Sequence, residues 1–71
     1  MAKFNVGDQV QVKKGPYGKS IFTVSEYLGD IMIWVDLWED GYLIKNNKYP
    51  YGIRMHESNL VKVIQVHLCN N

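Results

Sequence analysis

Short runs of alternating apolar and polar residues, separated by glycines, predict an all-β chain. The runs are rich in valine, isoleucine, tyrosine and tryptophan, and the glycines between them are Gly7, Gly15, Gly18, Gly29, Gly41 and Gly52. β-branched and aromatic residues favour strands, and turn signals at this spacing are typical of a small sandwich or barrel. No window carries an apolar repeat of 3.6 residues over three turns, so no long helix is expected.

The alternation predicts the limits of each segment. Gly29-Asp30 is predicted to be a tight hairpin connection, and Glu39-Asp40-Gly41 is predicted to be the next turn. The expected segments are strands at 9–13, 21–28 and 31–38, a resumed strand at 42–44, a short strand at 53–57, one helical turn at 58–59 and a last strand at 61–66.

The third predicted strand has two different faces. One face is aliphatic (Ile31, Ile33, Val35 and Leu37), and the other carries Met32, Trp34, Asp36 and Trp38. We expect one tryptophan to lie in the core and the other on the surface, because a small barrel can use both faces of a bent strand to close its core.

The end of the chain contains two apolar sets that a simple alternation cannot bury together. Val61 and Val63 share one face, whereas Ile64, Val66 and Leu68 share the other. A bulge near Val63-Ile64 would exchange the faces. Alternatively, Ile64, Val66 and Leu68 cover a second subunit, which would make the protein a homo-oligomer.

Length and composition predict a single small domain spanning residues 1–71, with its core at about residues 4–66. A chain of 71 residues buries about 60% of its unfolded surface, close to the lower limit for a domain that folds without a covalent or metal cross-link. Cys69 is the only cysteine, so an intramolecular disulfide and an all-cysteine metal site are excluded. A multi-domain enzyme, a disulfide scaffold and a zinc ribbon are therefore excluded.

The charge balance and the apolar runs predict the compartment. The formal net charge is +1, which neither requires nor forbids a polyanionic partner. The longest apolar runs are far shorter than the ~20 residues that span a bilayer, and the first residues lack the apolar stretch of a signal peptide. We expect a cytoplasmic protein with a reduced thiol and no membrane partner.

The two ends of the chain resemble small Src homology 3-like (SH3-like) barrels. Residues 6–18 (VGDQVQVKKGPYG) are similar to a KOW-type motif, in which an opening strand leads into a Gly-Pro-aromatic-x-Gly loop; here Gly18 follows Tyr17 directly, so the loop is one residue shorter. Residues 57–63 (ESNLVKV) look like the one-turn helix and closing strand of such barrels. Phe22-Thr23-Val24 also resembles the triplet that opens the second strand in short bacterial single-domain barrels of unassigned function. The resemblance implies a five-stranded, mostly antiparallel SH3-like small barrel with one short helical turn.

No constellation in the sequence favours catalysis, a metal or a cofactor. The acidic residues Asp36, Glu39 and Asp40 are most simply a solvated turn. His67 and Cys69 would share a strand face, but zinc needs three or four ligands, so no metal site is predicted. The chain is predicted not to be an enzyme, although an active site formed only between subunits is left as an alternative.

Exposed aromatic residues give the leading functional prediction. Tryptophan and tyrosine are enriched in the residues that dominate protein interfaces. We therefore expect a non-catalytic module that binds a protein partner, or itself, through an aromatic face made by Trp34, Trp38, Tyr42, Tyr49 and Tyr51.

A cluster of basic residues gives the alternative prediction, a weak nucleic-acid-binding domain. A tyrosine ring can stack on a base while neighbouring lysines meet phosphates. The residues that would do so are Lys13, Lys14, Tyr17, Lys19 and Arg54.

Overall fold

Five strands form one antiparallel sheet in the structure, a computed structural model that describes residues 3–64. The strands are β1 (Gln9–Val12), β2 (Ile21–Trp34), β3 (Leu37–Lys45), β4 (Ile53–His56) and β5 (Leu60–Lys62). A single 3₁₀ turn, Glu57–Asn59, connects β4 to β5. The predicted all-β class, with five antiparallel strands and one short helical turn, is confirmed.

The strand order in the sheet is β4-β3-β2-β1-β5. All four ladders are antiparallel, and strands β4 and β5 lie at the two edges. No ladder joins β4 to β5 within residues 3–64, so hydrogen bonds do not close the sheet into a barrel.

The core lies on one face of this sheet. The pairs Val10–Phe22 and Val12–Leu60 place buried side chains opposite each other on neighbouring strands. The fully or nearly fully buried residues are Phe4, Val10, Val12, Phe22, Val24, Tyr42, Ile44 and Leu60, and Tyr17, Tyr49, Ile53 and Met55 pack against them. Val10, Val12, Phe22 and Val24 occupy alternate positions in β1 and at the start of β2, so local alternation accounts for their inward orientation.

The predicted turns around the third strand are wrong. Trp34 pairs with Leu37, so the chain reverses at Val35-Asp36, and the predicted strand at 31–38 is divided between β2 and β3. Asp36 has a φ of 58°, which aspartate tolerates better than most residues. Gly29 and Gly41 pair with each other inside the ladder instead of forming turns.

Strand β2 carries one extra residue relative to β3 at each of three places. The register shifts between Val24 and Glu26, between Tyr27 and Gly29, and between Met32 and Trp34. Each extra residue bends the strand and exchanges the faces on which the following side chains lie. This exchange explains why simple alternation along β2 misplaces residues beyond Val24.

The last described strand is shorter than predicted. Leu60 packs into the core, whereas Val61 and Ile64 are exposed. Val63 donates its backbone N–H to the Gln9 carbonyl at 2.8 Å, so the contact with β1 continues one residue past β5. Val66 and Leu68 lie outside the described residues, so the oligomer surface that includes them stays a prediction.

Candidate protein-interaction surface

The hairpin between β2 and β3 extends beyond its neighbouring strands. β1 pairs with β2 only from Ile21 to Thr23, and β4 pairs with β3 only as far as Gly41. Residues 30–40 therefore form a two-stranded hairpin to which no other strand of residues 3–64 adds a ladder on either outer edge, and we call these residues the hairpin arm. The overall dimensions of 51 × 27 × 19 Å agree with an elongated molecule.

The hairpin arm exposes an unusual amount of apolar surface. Its exposed side chains, with exposed fractions from 51% to 76%, are Met32, Trp34, Val35, Leu37 and Trp38. A whole large side chain presents about 150–250 Å², so the five together expose roughly 600 Å². The two faces of the arm share this area, so each presents roughly 300 Å², the size of the largest apolar patches on monomeric proteins, which are often functional.

The two tryptophans lie on opposite faces of the hairpin arm. Trp34 is directly opposite Leu37, whereas Trp38 is opposite Met32. Cross-strand partners share a face, and neighbouring residues of a strand point to opposite faces. The prediction that both tryptophans share one face is therefore wrong, because the turn between them places Trp34 opposite Leu37, the neighbour of Trp38. The prediction that one of them lies in the core is also wrong, because both are exposed.

Two hydrogen-bonded contacts fix the base of the hairpin arm to the rest of the protein. The backbone N–H and the hydroxyl of Ser58, in the 3₁₀ turn, donate to the two carboxylate oxygens of Glu39, each at 3.0 Å. The Tyr27 hydroxyl donates to Oδ1 of Asp40 at 2.8 Å. The arm is therefore held in one orientation at its base, while its tip stays exposed.

These contacts shift the pKa of two side chains in opposite directions. The N–H of Ser58, and then its hydroxyl, stabilise the charged carboxylate and lower the pKa of Glu39. The hydrogen bond from Tyr27 to the Asp40 carboxylate stabilises the neutral phenol and raises the pKa of Tyr27 to about 12.

Side-chain packing also fixes the base of the hairpin arm at the Gly29–Gly41 pair. A Cβ atom added at Gly41 would lie 2.7–2.8 Å from three atoms of the Ile31 side chain. Ile31 thus covers the bare backbone of Gly41, and only glycine fits beneath it.

Tyr42 is a core residue, so its predicted role in the partner-binding face is wrong. Its ring is fully buried, and its hydroxyl donates to Oε2 of Glu57 at 2.7 Å. The same hydroxyl accepts the backbone N–H groups of Lys3 at 3.0 Å and Phe4 at 3.3 Å. Burial, and then the bond to the Glu57 carboxylate, raise the pKa of Tyr42.

The other two predicted tyrosines are not close to the hairpin arm along the sheet. Tyr49 is half-buried and contacts Tyr17 and Phe22 edge to face. Tyr51 is 93% exposed, but it precedes Ile53, which pairs with Ile44 at one end of the β3–β4 ladder. The arm begins beyond Gly41, at the other end of that ladder. Of the predicted aromatic face, the arm thus contains only Trp34 and Trp38.

Sequence reasoning missed three apolar residues of the arm, because it assigned them to a continuous strand. Met32, Val35 and Leu37 are exposed with the tryptophans around the Val35-Asp36 turn. The available signal was Asp36, since aspartate is one of the few non-glycine residues that often adopts a left-handed turn conformation.

The basic residues of the alternative prediction do not form one aromatic-lined surface. Lys13, Lys14 and Lys19 are exposed, as expected for a loop. The Tyr17 ring packs edge to face on Phe22, with ring centroids 5.8 Å apart, so it is committed to the core. Arg54 lies on β4, which β3 and β2 separate from β1 in the sheet.

A polar groove of about 560 Å³ lies between the hairpin arm and the 3₁₀ turn. Charges of both signs line it beside Trp38, and its lining residues are Lys3, Lys13, Asp30, Trp38, Glu39, Asp40, Glu57 and Ser58. Glu39 and Asp40 belong to β3, so only Asp36 of the predicted acidic turn lies in a turn. Among residues 3–64 there is no group of three or more His, Cys, Asp or Glu side chains that could hold a metal ion.

Comparison of the chain with protein-family models, curated proteins and solved structures finds no match. The resemblance to SH3-like and KOW-type barrels therefore stays a prediction from the sequence. Over the described part of the chain, no helix is long and apolar enough to cross a membrane.

Proposed function

We propose that this protein is a non-catalytic interaction module that binds protein surfaces through the hairpin arm. The observation that carries the proposal is the exposure of Met32, Trp34, Val35, Leu37 and Trp38 on one two-stranded hairpin. A partner that covered both faces of the arm would bury their roughly 600 Å², which approaches the ~800 Å² that each partner contributes to a standard protein interface.

The fixed base of the hairpin arm supports the same function. Affinity depends on how much freedom a binding segment loses when it is ordered by its partner. Because Ser58 holds Glu39 and Tyr27 holds Asp40, the arm is oriented before it meets a partner. An apolar hairpin that is exposed and already oriented suits recognition better than an apolar loop of the same composition.

Nucleic-acid binding has weaker support. The lysines of the β1–β2 loop are exposed and could meet phosphates, but the neighbouring Tyr17 ring is packed against Phe22 and Tyr49. A base would therefore find no free aromatic ring within this loop.

Site-specific photo-crosslinking tests the proposal directly. A photo-reactive amino acid replaces Val35 at the tip of the arm, and a matched variant carries it at Val6, which is also an exposed valine (68% against 76%) but precedes β1. We expect crosslinks to protein from position 35 at least tenfold more abundant than those from position 6. Equal yields at the two positions, or no crosslinks from position 35, would contradict the proposal.

A further inference from the structure

The charges of the chain are separated between the hairpin and the rest of the protein. No lysine or arginine occurs from residue 20 to residue 44, whereas five of the seven acidic residues do: Glu26, Asp30, Asp36, Glu39 and Asp40. This segment has a formal charge of −5. The remainder has a charge of +6, because it contains all eight basic residues and only Asp8 and Glu57 as acidic ones.

The outer face of the sheet offers a surface that complements the hairpin arm. Ile21 pairs with Gln11, and Gln11 pairs with Val61, so these residues form a row across β2, β1 and β5. The neighbouring rows contain the buried residues Val10 and Phe22, so this row points away from the core. Ile21 and Val61 are 41% and 44% exposed.

Two lysines lie beside this apolar row. Gln11 donates its side-chain amide to the carbonyl of Lys19 at 2.8 Å, which places the basic loop beside the row. Lys45 pairs with Thr23, two residues along β2 from Ile21 and on the same face. We call Ile21, Val61, Lys19 and Lys45 the receiving face.

We propose that the hairpin arm of one copy docks on the receiving face of a second copy, so that the chain associates head to tail. This inference rests on the proposed function of the arm and adds the identity of its partner. Apolar side chains would meet Ile21 and Val61, and the carboxylates of the arm would meet the lysines around them.

The alternative pairing of two arms brings like charges together. Each arm carries four carboxylates, and Asp30 and Asp40 already lie opposite each other within one arm. A symmetric contact would double this local negative charge, which disfavours it. Contact within one chain is also disfavoured, because Ile21 and Trp34 are the two ends of β2.

Head-to-tail contact leaves one free arm and one free receiving face in every assembly. Such heterologous contacts form rings or open chains instead of stopping at a dimer. The average mass of the protein should therefore rise with concentration. It should fall as salt is added, since salt screens the charged part of the contact.

Two complementary variants test the inference by sedimentation equilibrium. The arm variant carries Trp34→Ser and Trp38→Ser, and the face variant carries Lys19→Glu and Val61→Glu. All four side chains are exposed, and circular dichroism checks that each variant folds. We expect each variant alone to sediment as a monomer of about 8.2 kDa. The equimolar mixture should form a dimer and nothing larger, because only one functional contact remains.

Controls and opposing outcomes separate this inference from the proposed function. A Tyr51→Ser variant, altered at an exposed tyrosine far from the arm, should associate like the wild type, and raising salt from 0.05 to 0.5 M should weaken association roughly tenfold. A face variant that dimerises alone would show that arms pair with arms. A monomeric wild type at every concentration would overturn the inference, yet crosslinks from position 35 to another protein would still support the proposed function.

Discussion

Replacement of Tyr42 by phenylalanine isolates the contribution of one buried hydroxyl group. The Tyr42 ring contacts Phe4 and Tyr27, with centroid distances of 5.4 and 5.5 Å, and phenylalanine keeps both contacts. The hydroxyl itself joins three groups: it donates to Glu57 and accepts from the N–H groups of Lys3 and Phe4. The variant therefore removes hydrogen bonds without opening a large cavity.

The expected loss follows from what each partner retains. The N–H of Lys3 still donates to Oε2 of Glu57 at 3.0 Å, and the half-buried Glu57 carboxylate can bind water instead. The N–H of Phe4 is buried and loses this acceptor, and an unpaired buried donor costs about 1–3 kcal/mol. We expect Tyr42→Phe to lower the free energy of unfolding by about 2 kcal/mol, which corresponds to roughly 10 °C in the melting temperature.

Urea unfolding followed by far-ultraviolet circular dichroism measures this loss. Tryptophan fluorescence is unsuitable, because both tryptophans are exposed on the hairpin arm and report poorly on the core. The matched control, Tyr51→Phe, removes the hydroxyl of a tyrosine that is 93% exposed and should change the stability by less than about 0.5 kcal/mol. A Tyr42→Phe loss as small as that of the control would refute the assigned role of the hydroxyl.

Three further variants test the base of the hairpin arm. Gly41→Ala should lower the free energy of unfolding by about 1–3 kcal/mol, because the added Cβ overlaps Ile31. In urea unfolding, adding Ile31→Ala should restore most of this loss. A Gly41→Ala variant as stable as the wild type would contradict the packing. The folded pKa of Tyr27 lies above its ordinary value of 10, so the stability that its hydrogen bond to Asp40 contributes is complete below pH 10 and lost between about pH 10 and 12. In thermal melts, the melting temperature of Tyr27→Phe should therefore fall less steeply over this pH range than that of the wild type. The folded pKa of Glu39 is lowered, so its stabilisation is present above the ordinary pKa of 4.5 and lost as the pH falls below it. The protection factor of the Ser58 amide, which is its exchange rate relative to the intrinsic rate at the same pH, should therefore fall in acid, and Glu39→Gln should remove this pH dependence.

The core was predictable from the sequence because it depends on local alternation. Val10 and Val12 alternate with glutamines in β1, and Phe22 and Val24 alternate with polar or exposed residues in β2. A strand with one buried face must follow this period of two, so each of these side chains can be assigned without knowing its partner strand.

The hairpin could not be predicted in the same way because its register depends on distant residues. The extra residues of β2 are defined only relative to β3, and each of them reverses the alternation. Glycine signals then misplaced the turn, since Gly29 and Gly41 are paired within the ladder while Asp36 adopts the left-handed conformation.

The burial of Tyr42 was also beyond local reasoning. Its hydroxyl is satisfied by the backbone of Lys3 and Phe4, which precede it by 39 and 38 residues, and by Glu57, which follows it by 15. A tyrosine in a strand can lie on the surface or in the core, because its ring is apolar and its hydroxyl is polar. Tyr42 lies in the core because the N-terminal segment folds over it and hydrogen-bonds to its hydroxyl.

In the head-to-tail association that we propose, hydrophobicity and charge have different roles in the hairpin arm. An isolated two-stranded hairpin has little stability of its own. The hairpin arm extends beyond the sheet, and the hydrogen bonds from Ser58 to Glu39 anchor its base. The exposed apolar residues supply contact area but do not choose a partner, because most apolar surfaces would suit them. In the proposed association the carboxylates would make that choice, because they repel a second arm and attract a basic surface, such as the lysines on the outer face of the same chain.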